Sequence, residues 1–63
     1  MLKIKDYLIA ENEILYITKN HYQGENPQIE VGFINGKCIS IYFIDVETRN
    51  EQFEKLIKKA EER

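Results

Sequence analysis

Between residues 28 and 44 apolar and polar side chains alternate with a period of two, on either side of an Asn35-Gly36 pair. Two such runs around Asn-Gly predict a β-hairpin. Its register follows from the side chains themselves. A two-residue turn would pair Ile34 with Lys37 and set Ile39 and Ile41 beside Gly32 and Glu30, mixing apolar and polar groups on both faces. A three-residue loop, Ile34-Asn35-Gly36, with Gly36 left-handed in a bulge, pairs Phe33 with Lys37 instead. Val31 then faces Ile39 and Ile29 faces Ile41, while Glu30 faces Ser40 and Gly32 faces Cys38. One face becomes apolar and the other polar, and a slip of one residue would undo that separation. The bulged register is therefore expected.

Upstream, residues 14–22 are rich in β-branched and aromatic residues and predict a longer strand. Its register is less constrained, because Ile14/Tyr16 and Leu15/Ile17 are both apolar pairs. Residues 23–27 read as a loop, with Pro27 just before the next strand. Pairing Tyr22 with Gln28 across it gives rows over three strands: Tyr22, Gln28 and Tyr42, then Asn20, Glu30 and Ser40, then Thr18, Gly32 and Cys38, with Tyr16 beyond. Residues 1–4 and 7–9 predict short strands about a tight turn at Lys5-Asp6, and 10–13 a turn or a single 3₁₀ turn.

The C-terminal segment changes period. Phe53, Leu56, Ile57 and Ala60 stand at i, i+3, i+4 and i+7, one stripe of a helix. Thr48-Arg49-Asn50-Glu51 has the form of a capping box, which predicts a helix over 48–62 with Thr48 as N-cap. Glu51/Lys55 and Glu54/Lys58 are i,i+4 pairs, each contributing about 0.2–0.5 kcal/mol. Burial of Phe53, Leu56 and Ile57 contributes about 1.5–3 kcal/mol each, so docking decides whether the helix forms. Its expected bed is the Ile29/Val31/Phe33/Ile39/Ile41/Phe43 face, with Phe53→Ala costing about 3–5 kcal/mol. The expected fold is α+β: one antiparallel meander of about four to five strands with the helix on one face. Residues 1–63 form a single domain.

Size sets the next constraint. A chain of about 60 residues buries only about 60% of its unfolded surface, so small domains usually add disulfides, a metal or a partner subunit. Cys38 is the only cysteine and His21 the only histidine, which excludes an internal disulfide and a Cys/His zinc site. With ten isoleucines, three phenylalanines and four tyrosines, self-association into a homo-oligomer is the expected remedy. The formal charge of −2 with both signs interspersed argues against a phosphate-backbone binder. No segment reaches the roughly 18 apolar residues of a membrane span, and no signal-peptide pattern opens the chain. A free thiol without a targeting segment fits the cytoplasm. Abundant isoleucine, lysine, asparagine and glutamate suit an AT-rich bacterial or phage genome.

Chemistry is sparse. His21 reads as a surface residue near a strand end, and Cys38 lies across from Gly32, far from His21 along the strands. A reactive thiolate needs a nearby base or positive helix end. Glu11 and Glu13 share one short turn and would help bind a cation, but lack the pattern of a calcium loop. Glu61 and Glu62 read as a solvated tail. Gly24, Gly32 and Gly36 each have a turn, packing or bulge explanation, and there is no glycine-rich phosphate loop. Neither an enzyme nor a cofactor or metal site is expected. What stands out is the outer sheet face of Tyr16, Thr18, Asn20, Tyr22, Glu30, Gly32, Cys38, Ser40 and Tyr42. Tyrosine joins large apolar area to a hydrogen-bonding tip, which suits interfaces.

Residues 7–17, YLIAENEILYI, resemble the strand–turn–strand opening of LytTR-type DNA-binding domains. The resemblance covers 11 of 63 residues. The rest of the chain departs from that family in length, acidity and want of basic reading loops, so no function or residue is carried over. Three functions are expected in order. The first is a protein-interaction module, a homodimer that meets a larger partner through its sheet face or an edge strand, as a regulator or a phage-encoded inhibitor. The second is a small-molecule or nucleotide binder with its pocket at a dimer interface. The third is a single-stranded RNA binder stacking bases on the sheet. RNA fits least, because none of Lys3, Lys5 and Lys19 lies on the outer face.

Overall fold

A computed structural model describes residues 1–61 of the chain. Five strands precede one helix: β1 (Leu2–Ile4), β2 (Tyr7–Ile9), a 3₁₀ turn (Glu11–Glu13), β3 (Ile14–Asn20), β4 (Gln28–Phe33), β5 (Cys38–Tyr42) and α1 (Val46–Glu61). The class is α+β with antiparallel strands and a C-terminal helix. The single meander is replaced by two sheets, a β1-β2 hairpin and a three-stranded β3-β4-β5 sheet. The physical reason lies between β2 and β3. The 3₁₀ turn, closed by the Glu13 N–H on the Ala10 carbonyl, lifts the chain out of the ladder. The three-residue strands β1 and β2 then bury Leu2, Ile4 and Ile9 instead of pairing with β3.

The β4-β5 hairpin takes the bulged register. Val31 pairs with Ile39, Ile29 with Ile41, Glu30 with Ser40 and Gly32 with Cys38. The Phe33 N–H donates to the Lys37 carbonyl (2.8 Å) and the Gly36 N–H to the Phe33 carbonyl (3.0 Å). Gly36 sits at φ +88°, where a Cβ would clash with the backbone. Ile29, Val31 and Ile41 are buried on one face, and Phe43, Leu56 and the β1-β2 apolars close over them. Lys5 pins the N-terminal hairpin to this sheet. Its Nζ donates to the Tyr42 carbonyl (2.6 Å) and lies 5.1 Å from the centre of the Phe43 ring. Lys5 itself is left-handed, at φ +54°.

Strand β3 ends at Asn20, and Tyr22 lies in the following loop, not in the strand. Asn20, rather than Tyr22, pairs with Gln28. The loop is therefore longer, with a turn closed by the Glu25 N–H on the Tyr22 carbonyl. A bulge between Ile14 and Tyr16 resolves the doubled apolar pattern. Ile14 and Ile17 both pack on the core, Tyr16 and Thr18 face outward, and Leu15 is left exposed.

Helix α1 begins two residues before the expected start. Asp45, not Thr48, is the cap: its Oδ1 accepts the Thr48 N–H at 2.7 Å. Leu56 is buried, Phe53 half-buried and Ile57 exposed. The stripe extends backward to Arg49, which is 8% exposed. The places expected for Ala60, Glu61 and Glu62 fall outside the described side chains.

Two outcomes follow from this packing. Leu56→Ala should cost about 2–5 kcal/mol and exceed Phe53→Ala in urea unfolding, because Phe53 sits at the rim. Asp45 has its carboxyl held below the usual range by the Thr48 backbone N–H, with the Thr48 hydroxyl adding to it. That capping contribution is present at neutral pH and lost as pH falls through the lowered native value. Asp45→Asn should keep much of the cap while flattening the acid limb of thermal stability against pH.

Candidate outer-face site

The helix and the N-terminal hairpin share one side of the three-stranded sheet; among the described residues no helix or strand lies on the opposite side, although Gln28 there is only 2% exposed. Its rows are Asn20, Gln28 and Tyr42, then Thr18, Glu30 and Ser40, then Tyr16, Gly32 and Cys38. The faces match the sequence expectation, but β3 is displaced by two residues along β4. Tyr22 leaves the rows and is half exposed beside them.

That displacement changes the chemistry. Tyr16 now stands opposite Gly32, and its ring lies where a Cβ of residue 32 would project. The dip expected at Gly32 is filled by an aromatic ring. The displacement also places Glu30 diagonally between Tyr16 and Asn20. The Tyr16 hydroxyl donates to Glu30 Oε2 (2.7 Å) and Asn20 Nδ2 donates to Glu30 Oε1 (3.2 Å). Both carboxylate oxygens are thus engaged, and the Tyr16 ring is fixed in orientation. The Tyr16 phenol is pushed above its ordinary value, first by that hydrogen bond to Glu30, then by desolvation and the Glu30 charge. Among the nine row residues, Glu30 alone carries a full charge at neutral pH.

Arg49 is the residue that sequence reasoning missed. Its guanidinium donates to the Asn20 carbonyl (3.0 Å) and to Asn50 Oδ1 (2.9 and 3.2 Å), tying the start of α1 to the end of β3. The signal was its spacing, i−4 from Phe53 and i−7 from Leu56.

The other candidates stay apart. His21 is exposed in the loop after β3, and Cys38 is an exposed free thiol on β5. Glu11 lies 3.5 Å from the Met1 ammonium. Among the described residues no three His, Cys, Asp or Glu side chains converge as a metal site, and no helix is long and apolar enough to cross a membrane. An apolar groove of about 150 Å³ runs between β3 and α1, lined by Ile17, Phe53, Leu56 and Ile57. Its walls offer no side-chain donor or acceptor for a nucleotide.

The Tyr16–Glu30 bond is testable by titration. Because the folded chain favours the neutral phenol, its contribution is full below about pH 10, the ordinary phenol value, and is lost as pH climbs through the raised native one. Glu30→Gln should lower the pH at which Tyr16 forms phenolate, read by ring NMR shifts, with Tyr42 as an internal reference. An unmoved titration would mean that the carboxylate does not hold the phenol.

The chain matches no protein-family model, no curated protein and no solved structure.

Proposed function

We propose that this chain is a small cytoplasmic protein-interaction module, a homodimer that regulates or inhibits a larger protein through its open sheet face. One observation carries the reading: among the described residues no helix or strand lies over the tyrosine-bearing face, while its Tyr16 ring is held in place by Glu30 and Gly32. Order before binding lowers the entropy cost of association. Tyr16 and Tyr42 supply aromatic area, at 39% and 45% exposure, and Glu30 supplies one charge near the middle. A complementary partner patch would be apolar with one lysine or arginine placed to meet that carboxylate. The acidic balance of the chain and the lack of lysine or arginine in the rows favour a protein partner over RNA.

The test is a comparison of baits. Wild-type chain immobilised in a bacterial lysate should retain a partner that Tyr16→Ala/Tyr42→Ala loses, with both baits showing the same far-UV spectrum. Equal retention by both would remove the face from the interface. Retention of RNA that falls steeply with salt would overturn the reading in favour of nucleic-acid binding.

A further inference from the structure

The homodimer in that reading still lacks a seam, and the groove beside β3 supplies one. Hydrogen-bond direction alternates along an antiparallel strand. Phe33 bonds to Lys37 and Pro27 to Phe43, so the odd residues of β4 point at β5. Its even residues, paired with Tyr16, Thr18 and Asn20, then point at β3. The N–H and C=O groups of Ile17 and Lys19 therefore point away from the sheet, along an edge that has no strand beside it among the described residues. Directly below that edge lies the apolar groove of Ile17, Phe53, Leu56 and Ile57. An unpaired backbone edge above an apolar trough is the geometry that accepts another strand.

We infer that the occupant is the β3 strand of a second copy, paired antiparallel about Thr18 to give a six-stranded sheet. This rests on the homodimer reading and names its contact. Two observations select a copy of this chain. First, the outward groups belong to Ile17 and Lys19, which flank Thr18 symmetrically. A two-fold axis at Thr18 sets Ile17 against Lys19 of the other copy on both sides, and the contact closes on itself. Second, the far edge of the sheet is obstructed, because Lys5 occupies the Tyr42 carbonyl on β5, so open-ended β3-to-β5 addition loses a bond at that end.

Lysine on an edge strand commonly guards against pairing. Here Lys19 is folded back, with its ammonium 5.1 Å from the centre of the Phe53 ring, so it lies along the groove and leaves the edge clear. The pairing also brings the exposed Ile57 side chains toward the seam and extends the tyrosine face across both copies.

The experiment joins solution mass with one distance. Sedimentation equilibrium of the wild type across a dilution series should give a dimer. Ile57→Glu should raise its dissociation constant at least about tenfold, since a carboxylate would be buried at the seam. Lys19→Pro removes an outward N–H without breaking the β3-β4 ladder and should give a folded monomer. Tyr42→Ala should leave the dimer intact. Spin labels on Cys38 should then be at least about 24 Å apart, five strand spacings of about 4.8 Å. A dimer that survives Ile57→Glu and yields to Tyr42→Ala, or a shorter Cys38 distance, overturns the β3 seam while the homodimer stands. A wild type that is monomeric at every concentration overturns both. If Lys19→Pro fails to fold, the Ile57→Glu result decides.

Discussion

Ile29 against Ile41 and Val31 against Ile39 form the plate on which the rest of the chain is laid. Those contacts exist only because the loop before Lys37 has three residues and Gly36 accepts a left-handed backbone. Shift that register by one and the isoleucines exchange faces with Glu30 and Ser40. Neither the helix nor the N-terminal hairpin would then have an apolar bed. A lone two-stranded hairpin is marginal in water and the helix gains most of its stability by docking its apolar stripe, so both depend on this plate.

The same register creates the second face by exclusion. Every side chain that the plate cannot use is turned outward, and β3 organises what is left. Its bulge near Leu15 lets Ile14 and Ile17 reach the core while Tyr16 swings over Gly32. From there Tyr16 and Asn20 converge on Glu30. A packing requirement on one side thus sets a polar arrangement on the other. The fixed aromatic surface is a by-product of how the isoleucines are accommodated.

The hairpin register was legible because one face separates cleanly only in one alignment. The choice of outer-face residues was legible for the same reason, since parity along a strand survives a shift of two. The row partners were not. Leu15 and Tyr16 are both large and apolar, so periodicity alone does not locate the bulge or the end of β3 at Asn20. Thr48 resembled a cap because Glu51 follows three residues later, yet Asp45 stands three residues before Thr48 and meets the same N–H. Arg49 stood in the sequence only as an inner residue of that capping-box segment, whereas in the fold each nitrogen of its guanidinium is bonded to Asn20 or Asn50. The split into two sheets depends on where the 3₁₀ turn sends the chain, and composition does not encode that direction.

Among the described residues Lys5 makes the one side-chain hydrogen bond between the N-terminal hairpin and the larger sheet, a tether that spans 37 positions of sequence. The two sheets share no ladder, so they are held together by Leu2, Ile4 and Ile9 and by that tether. Release of those apolar contacts together with the tether would let the hairpin lift away as a unit while β3, β4 and β5 stay paired. The chain therefore carries a built-in boundary of local unfolding, and amide exchange should be fast on the β1-β2 side and slow in β4. Folding inherits the same order: local β4-β5 pairing comes early, and closure of the distant Lys5 contact comes late.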